Sequence, residues 1–336
     1  MTKRLIIDTD PGNGIPGSDI DDALAIVTAL RSPEVELLGV TTVAGNVEVV
    51  HATACALHLL EVAGRTDVPV CEGAATPLVA DPAAIRAGIR ARETSDAAAR
   101  LWTHVRRPAP RRPVDRRRAA EFLIETVMAH PGEVTVVPIG PLTNIASAVR
   151  LEPRVASTVK SIVWMGGAVR VPGTLTPVTE LNASYDPEAT HIVLSSGAPL
   201  TMVGLDVTTQ TCLTLEDVGR IGAVGTPLTD YLAEVVEPWV RYVMERRHLP
   251  GCWLHDPLAV CVAIDPSIVR TEPMWVSVEL ASPRFRGQTV GWDMRFPYLF
   301  PVNEPNAHVC VAVDTARFMG LFLGTLGVRA RTASGA

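Results

Sequence analysis

The chain has 336 residues, of which 47% are hydrophobic and 20% charged, and its net charge at neutral pH is −6. This length and composition suit a globular protein with a large buried core, and the acidic balance argues against nucleic acid as a partner. No apolar run reaches transmembrane length. Six cysteines without CxxC spacing are typical of free thiols in a reducing compartment. Because the N-terminus enters a strand at once, without a signal peptide, we expect a cytoplasmic protein that does not associate with membranes.

Short apolar runs alternate along the chain with amphipathic stretches. The predicted strands lie at 5–7, 37–43, 134–139, 161–165 and 200–205. They are apolar almost throughout, as is typical of parallel strands that are covered on both faces. The alternation predicts an α/β fold, a single domain around a mainly parallel, doubly wound sheet. We expect this domain to span 1–328 and to be followed by a disordered tail at 329–336.

Five carboxylates follow the first predicted strand: Asp8, Asp10, Asp19, Asp21 and Asp22. Like charges this close together are unfavourable unless a cation neutralises them or one of them keeps a proton. Hard oxygen ligands in this number suit Ca²⁺ or Mg²⁺. A helix N-terminus also favours acids, but it does not account for the two that lie on the strand side. The cluster therefore favours a metal site.

Glycine or polar residues follow the next predicted strands at 45–46, 140–144 and 166–167, and a later loop reaches 180–182. In doubly wound sheets, ligands bind beyond the carboxyl ends of the strands. Turn chemistry alone produces part of this pattern, but its repetition after successive strands favours a shared site.

An arginine-rich segment at about 80–118 interrupts the alternation. It holds eleven arginines between Arg86 and Arg118 and only three acids over that span. Arginine clusters can bind RNA, but the acidic whole favours an excursion of helices and loops near the site, or a subunit contact.

The second half contains a helical pattern at 228–247, which carries Trp239 and Tyr242, and then the run His255-Asp256-Pro257. Asp256 followed by Pro257 is a favoured helix start. The pair could also bind a ligand while Asp256 caps the helix. The dipeptide alone does not decide between a helix cap and a ligand-binding pair.

Together these segments resemble the inosine–uridine preferring nucleoside hydrolase family. The matching motifs are DTDPG at 8–12, DDA at 21–23, TTVAGN at 41–46, PIGPLTN at 138–144, WMGG at 164–167, ELN at 180–182, DPEA at 186–189, HDP at 255–257, RGQTV at 286–290 and PN at 305–306. They occur in order over nearly the whole chain except about 80–118. The resemblance implies an N-ribosyl hydrolase that releases ribose and a nucleobase from a ribonucleoside, usually assembled as a homodimer or homotetramer.

The resemblance also implies a role for each matched residue. The groups implied to hold Ca²⁺ are Asp10, Asp22, Asp256 and the main-chain carbonyl of Ile139. The residues implied to bind the ribose are Asp21, Asn46, Met165, Glu180 and Asn182. Asp10 and His255 are the implied catalytic residues, the first as the base that takes a proton from water and the second facing the leaving base. These residue types suit a sugar that becomes positively charged as the glycosidic bond breaks.

Three departures from the family pattern concern the loops. Eight residues, 13–20, stand where the family usually has one, and Thr174 stands where many members carry an asparagine. A His-Gly-acid segment that often covers the base is absent. We therefore expect different recognition of the base, with Trp102 and His104 of the arginine-rich segment as its cover and with Trp239 and Tyr242 stacking on it.

Three other functions remain open on the sequence alone. The first is a hydrolase of a modified or non-standard N-riboside, and the second is a non-catalytic ribose-binding protein on the same fold. Retention of both Asp10 and His255 argues against mere binding. The third is a Mg²⁺ phosphatase with an aspartate nucleophile, which is disfavoured because Lys160 is the only lysine beyond Lys3.

Overall fold

The computed structural model describes residues 2–299 and 303–329, and nine strands in these ranges form one sheet. The strands are β1 (Lys3–Thr9), β2 (Val35–Thr42), β3 (Val70–Glu72), β4 (Val134–Pro138), β5 (Ser161–Met165), β6 (Leu200–Val203), β7 (Val269–Val278), β8 (Thr289–Asp293) and β9 (Ala307–Val313). Their order is β3-β2-β1-β4-β5-β6-β9-β7-β8. Neighbours from β3 to β9 pair in parallel, whereas β7 runs antiparallel to both β9 and β8.

Helices connect the strands and cover both faces of the sheet. They are α1 (Asp21–Arg31), α2 (Val49–Val62), α3 (Ala83–Glu93), α4 (Asp96–Leu101), α5 (Ala119–Ala129), α6 (Thr143–Leu151), α7 (Arg154–Thr158), α8 (Leu181–Tyr185), α9 (Pro187–Leu194), α10 (Leu205–Thr208), α11 (Leu215–Gly222), α12 (Pro227–Arg247), α13 (His255–Ile264) and α14 (Thr315–Thr325). The predicted α/β fold with a mainly parallel sheet is confirmed.

All five predicted strands are present, as β1, β2, β4, β5 and β6, with ends that differ by up to two residues. The antiparallel edge of β7, β8 and β9 was not predicted. Buried and exposed positions alternate along much of β7, as in a strand with one covered face, and it therefore lacks the continuous apolar run of the central strands.

Two buried helices bring distant parts of the chain together at the site. Nine of the eleven residues of α1 are buried, and α13 is apolar almost throughout. The two helices pack side by side. Because each begins with aspartate near its N-terminus, this packing brings the acids of 21–22 next to Asp256.

The arginine-rich segment forms α3, α4 and the loops around them. No residue of α3 is fully buried, and α4 packs against α12. Several of the arginines pair with acids of the same chain, including Arg100 with Glu245 at 2.6 Å and Arg118 with Glu72 at 2.8 Å.

All six cysteines are free, and five of them are buried, as the sequence predicts. None of the helices in the described part of the chain has both the length and the apolar character that a bilayer crossing requires. The predicted disordered tail at 329–336 lies outside the described residues, apart from Arg329, so this domain limit stays a prediction.

Candidate active site

The predicted site residues that follow strands lie at one edge of the sheet. Asp10 follows β1, Asn46 follows β2, Ile139 follows β4 and Met165 ends β5. These four strands are immediate neighbours in the order β2-β1-β4-β5 and are parallel. Their carboxyl ends therefore meet, as expected for a ligand site in such a sheet.

Three buried acids come together at this edge. Asp21, Asp22 and Asp256 each offer a carboxylate oxygen within 4.8 Å of the others, and each side chain is at most 3% exposed. The main-chain N–H of Asp256 donates to Asp21 Oδ2 at 3.0 Å, which links the N-terminus of α13 to that of α1. Burial, together with repulsion from neighbouring acids, raises the pKa of Asp21 and of Asp256 well above the usual value. Burial likewise raises the pKa of Asp22 to about 6. A cation at this point would offset both the desolvation of these carboxylates and the repulsion between them.

Asp10 lies beside this triplet and is joined to it through the backbone. Its N–H donates to Asp22 Oδ1 at 3.1 Å, and its Oδ2 accepts from the N–H of Asn46 at 2.5 Å. Its Oδ1 is buried without a hydrogen-bond partner among the described residues. Burial and the nearby Asp22 raise the pKa of Asp10 well above the usual value. A Cβ at Gly45 would lie 2.0 Å from Asp10 Oδ2, so glycine is needed there.

Asp8, the remaining strand-side acid, has a different environment. Its Oδ1 accepts from Asn144 Nδ2 at 2.7 Å and from the Thr41 hydroxyl, while burial raises its pKa to about 7. These bonds join β1 to β2 and α6. Asp8 therefore holds the strand ends together, although its Oδ2, like Asp10 Oδ1, is buried without a hydrogen-bond partner among the described residues.

A cavity of about 400 Å³ opens above the acids. The predicted site residues that line it are Asp21, Asn46, Ile139, Met165, Glu180, Asn182, His255 and Asp256. The structure thus brings eight of the ten predicted residues to one cavity. The other two, Asp10 and Asp22, are fully buried and lie directly beneath them.

Glu180 and Asn182 are held firmly by the backbone. Glu180 caps α8, because its carboxylate accepts from the N–H groups of Gly167, Asn182 and Ala183 at 2.8–3.0 Å. Asn182 Nδ2 donates to the carbonyl of Ile139 at 2.9 Å and to that of Met165 at 3.1 Å. Since a carbonyl oxygen has two lone pairs, the Ile139 carbonyl keeps one acceptor site for a further partner.

His255 stands at the cavity wall with its ring fixed. Its Nδ1 lies 2.7 Å from the hydroxyl oxygen of Thr208, and Trp253 contacts the ring edge-on with centroids 5.7 Å apart. Burial lowers the pKa of His255 to about 4. The ring is therefore held in one orientation by two neighbours.

The upper wall of the cavity comes from segments outside the family motifs. It includes Ile85, Ile89 and Arg92 of α3, Arg247 at the end of α12, and the loop at 174–176. The arginine-rich segment thus lies near the site, as expected. The individual residues were missed because no motif marks them; the only signal in the sequence was the interruption of the family pattern.

The expected role of four side chains in covering or stacking on the base is wrong. Trp239 and Tyr242 are buried and stack on each other, with ring centroids 5.6 Å apart and planes 9° apart. Trp102 packs edge-on against Tyr242, and His104 is exposed. None of these four lines the cavity, because the aromatic rings fill the contact between α4 and α12.

The extended loop at 13–20 packs against the arginine-rich segment. Gly17 has a φ of +69°, and a Cβ at this position would lie 2.8 Å from the carbonyl oxygen of Arg92. Asn13 donates to the hydroxyl of Tyr231 in α12 at 2.7 Å. Asp19, at the end of the loop, lines the cavity. Two departures from the family pattern are therefore in direct contact.

Buried carboxylates at the carboxyl ends of parallel strands, beneath a cavity, define an α/β protein with a ligand site at its strand ends. Residues 5–320 match the family model described as inosine-uridine preferring nucleoside hydrolase. The chain belongs to this family.

Relatives match the chain over nearly its whole length. It is 40% identical to the probable uridine nucleosidase 2 of Arabidopsis thaliana, covering 96% of this chain and 97% of that protein. It is 38% identical to the inosine-uridine preferring nucleoside hydrolase of Crithidia fasciculata, with 97% and 98% covered. The protein is therefore an enzyme that hydrolyses ribonucleosides, which removes the phosphatase and the non-catalytic binding protein from consideration.

Solved structures agree with this assignment. A plant nucleoside hydrolase superposes with a TM-score of 0.85 at 35% identity, covering 98% of this chain and all of that one. The purine-preferring ribonucleoside hydrolase of Gardnerella vaginalis gives a TM-score of 0.82 at 34% identity, with 96% and 98% covered. The names of these relatives include both uridine and purine preferences, so membership of the family leaves the preferred base open.

Proposed function

We propose that the protein hydrolyses ribonucleosides such as uridine and inosine in a calcium-dependent reaction and releases ribose and the free base. The observation that carries this proposal is the group of buried acids beneath a cavity of about 400 Å³. Uridine and inosine are the first substrates to consider because the names of two relatives specify them.

The donors at the strand ends fit a hard divalent cation. Asp10, Asp22, Asp256 and the carbonyl of Ile139 would hold it, and all of these offer oxygen, the ligand that Ca²⁺ prefers. The unpartnered Asp10 Oδ1 supports its inclusion, and the mutual closeness of the Asp21, Asp22 and Asp256 carboxylates supports a common charge between them. When bound, Ca²⁺ would orient a water molecule and lower its pKa.

The chain's own residues would carry the remaining steps. Asp10 would accept a proton from the attacking water. Asp21, Asn46, Glu180 and Asn182 would bind the ribose hydroxyls and stabilise the positive charge that develops on the sugar, with Met165 packed against it. All five line the cavity. His255, held by Thr208, would face the leaving base.

A cytoplasmic location, a homodimer or homotetramer, and a small-molecule ribonucleoside as the partner complete the proposal. Light scattering on the purified protein would give the oligomeric state.

A panel of nucleosides, assayed for release of reducing sugar, tests the proposed activity. We expect turnover of uridine or inosine, loss of turnover in a chelator, and recovery with added Ca²⁺. Nicotinamide riboside in the same panel tests the alternative of a non-standard N-riboside. Full activity in excess chelator would exclude a role for the metal. Cleavage of nicotinamide riboside alone would show that the substrates are non-standard N-ribosides and not ordinary ribonucleosides.

A further inference from the structure

The cavity lining carries charges of both signs. Asp21 and Asp256 belong to the buried acids, whereas Arg92 and Arg247 come from α3 and the end of α12. Asp19, which also lines the cavity, interacts electrostatically with Arg92. Both guanidinium groups lie over the ring of Trp239, with Cζ at 5.5 Å and 5.7 Å from its centroid. Since Trp239 also stacks on Tyr242, the aromatic pair gives the two arginines a fixed support.

The Arg92 guanidinium forms no ion pair within 4 Å among the described residues, although Asp19 interacts with it electrostatically. Its Nε and Nη2 are buried, and neither has a hydrogen-bond partner in the described ranges. By contrast, Arg100, Arg117 and Arg118 form ion pairs at 2.6–2.8 Å. Arg112 also leaves Nε and Nη2 without partners, but its Nη1 donates to two main-chain carbonyls. An unsatisfied buried donor is unfavourable, and more so when it is charged. A guanidinium left without an acceptor in a ligand cavity indicates that the ligand supplies the acceptor.

Breaking an N-glycosidic bond separates charge between the sugar and the base. The C1′–N bond breaks, its electron pair stays with the base, and the sugar becomes positive. Water then supplies hydroxyl to C1′, Asp10 takes the remaining proton, and that proton ends on the released base. With the ribose on the acids and the base toward α3, as the proposed function has them, the acids and Arg92 are placed to stabilise both fragments as they separate.

We propose that Arg92 is a specificity-determining residue that donates to an oxygen of the leaving base and stabilises the negative charge developing there. This inference rests on the proposed function. Arginine offers donors and no acceptor, so it favours bases that carry a carbonyl oxygen at this point. Uracil and hypoxanthine carry such an oxygen where cytosine and adenine carry an amino group.

The variant Arg92→Gln tests this role by comparing substrates. We expect kcat/KM for uridine and inosine to fall about 10²-fold, as when one donor to a developing anion is removed. The activated substrate p-nitrophenyl riboside should be nearly unaffected, because its leaving group stabilises its own charge. Arg90→Gln is the matched control: Arg90 is exposed on the same helix and does not line the cavity, so both substrates should react as in the wild type.

The possible outcomes separate the inference from the function on which it rests. If the wild type cleaves no ribonucleoside, the proposed function fails. If the wild type is active and Arg92→Gln loses the same factor on uridine and on p-nitrophenyl riboside, then Arg92 only supports the fold and the inference is overturned. Should Arg92→Gln fail to fold, Arg92→Lys, which keeps the charge, replaces it. The same comparison then applies, between its loss of kcat/KM on uridine and its loss on p-nitrophenyl riboside.

Discussion

The floor and the cover of the active site are built in different ways. The floor consists of strand ends and of the first turns of α1 and α13, and its acids are almost completely buried. The cover consists of α3, which buries no residue fully, together with a loop and the end of α12. The sheet therefore fixes the groups proposed to act on the sugar, while a more exposed addition to the fold forms the part of the cavity proposed to meet the base.

The variant with the largest expected effect changes the floor. Asp10→Asn removes a proposed metal ligand and proton acceptor, so we expect kcat for uridine to fall at least about 10²–10⁴-fold and bound calcium to be lost. Metal analysis and steady-state kinetics measure both. Asp67→Asn is the control, because Asp67 is exposed and forms a surface ion pair with Arg65, away from the site. Unchanged calcium content and turnover in Asp10→Asn would remove Asp10 from the centre.

A second test changes the sugar and leaves the protein intact. If the floor binds the ribose hydroxyls, 2′-deoxyuridine leaves a buried partner unsatisfied. The activation free energy should rise by about 1–3 kcal/mol, which lowers kcat/KM for 2′-deoxyuridine roughly 5- to 150-fold relative to uridine. Equal rates on uridine and 2′-deoxyuridine would show that the roles proposed for Asn46 and Asn182 are incorrect.

Gly17→Ala tests how the cover is held. The substitution places a Cβ 2.8 Å from the Arg92 carbonyl in a backbone with φ of +69°, and we expect the free energy of unfolding to fall by about 1–3 kcal/mol. Gly64→Ala is matched, because its φ is +68° but nothing lies within 4 Å. Urea unfolding should show a larger loss for Gly17→Ala; equal losses would mean that the contact with α3 contributes nothing.

The smallest expected effect lies where floor and cover meet. Thr208→Val removes the hydroxyl that holds the ring of His255. One hydrogen bond contributes about 0.5–1.5 kcal/mol, so kcat/KM for uridine should fall roughly 2- to 13-fold. Thr209→Val is the control, since its hydroxyl bonds to the carbonyl of Leu205 in the adjoining helical turn. A similar loss in both variants would indicate general damage to this helix.

The sequence predicted the floor well for a physical reason. The central strands are apolar runs, and parallel strands place whatever follows them at a common edge, so Asp10, Asn46 and the segment 140–144 could be expected to meet. The choice of the Ile139 carbonyl came from the family resemblance. The choice among acids was less certain. The structure brings Asp21 as close to Asp22 and Asp256 as a shared ion requires, which depends on how α1 packs against α13 and not on spacing along the chain.

The cover could not be predicted in the same way. Arg92 and Arg247 are 155 positions apart in the sequence and meet only because both lie over Trp239. Trp239 and Tyr242, which the sequence suggested would stack on the base, instead pack α12 against its neighbours, as stacked rings in a helix contact often do. Tertiary packing of partly exposed helices leaves no periodic pattern that marks which residue faces a ligand.

The contact between the extended loop and the arginine-rich segment has a consequence for protein engineering. A Cβ at Gly14 would lie 3.0 Å from the carbonyl of Arg106, and one at Gly17 would lie 2.8 Å from that of Arg92. The two segments are thus complementary surfaces far apart in the sequence. In a chimera that receives only one of them from a relative, the two contacting surfaces would no longer fit. Segments 13–20 and 80–118 should therefore be exchanged together.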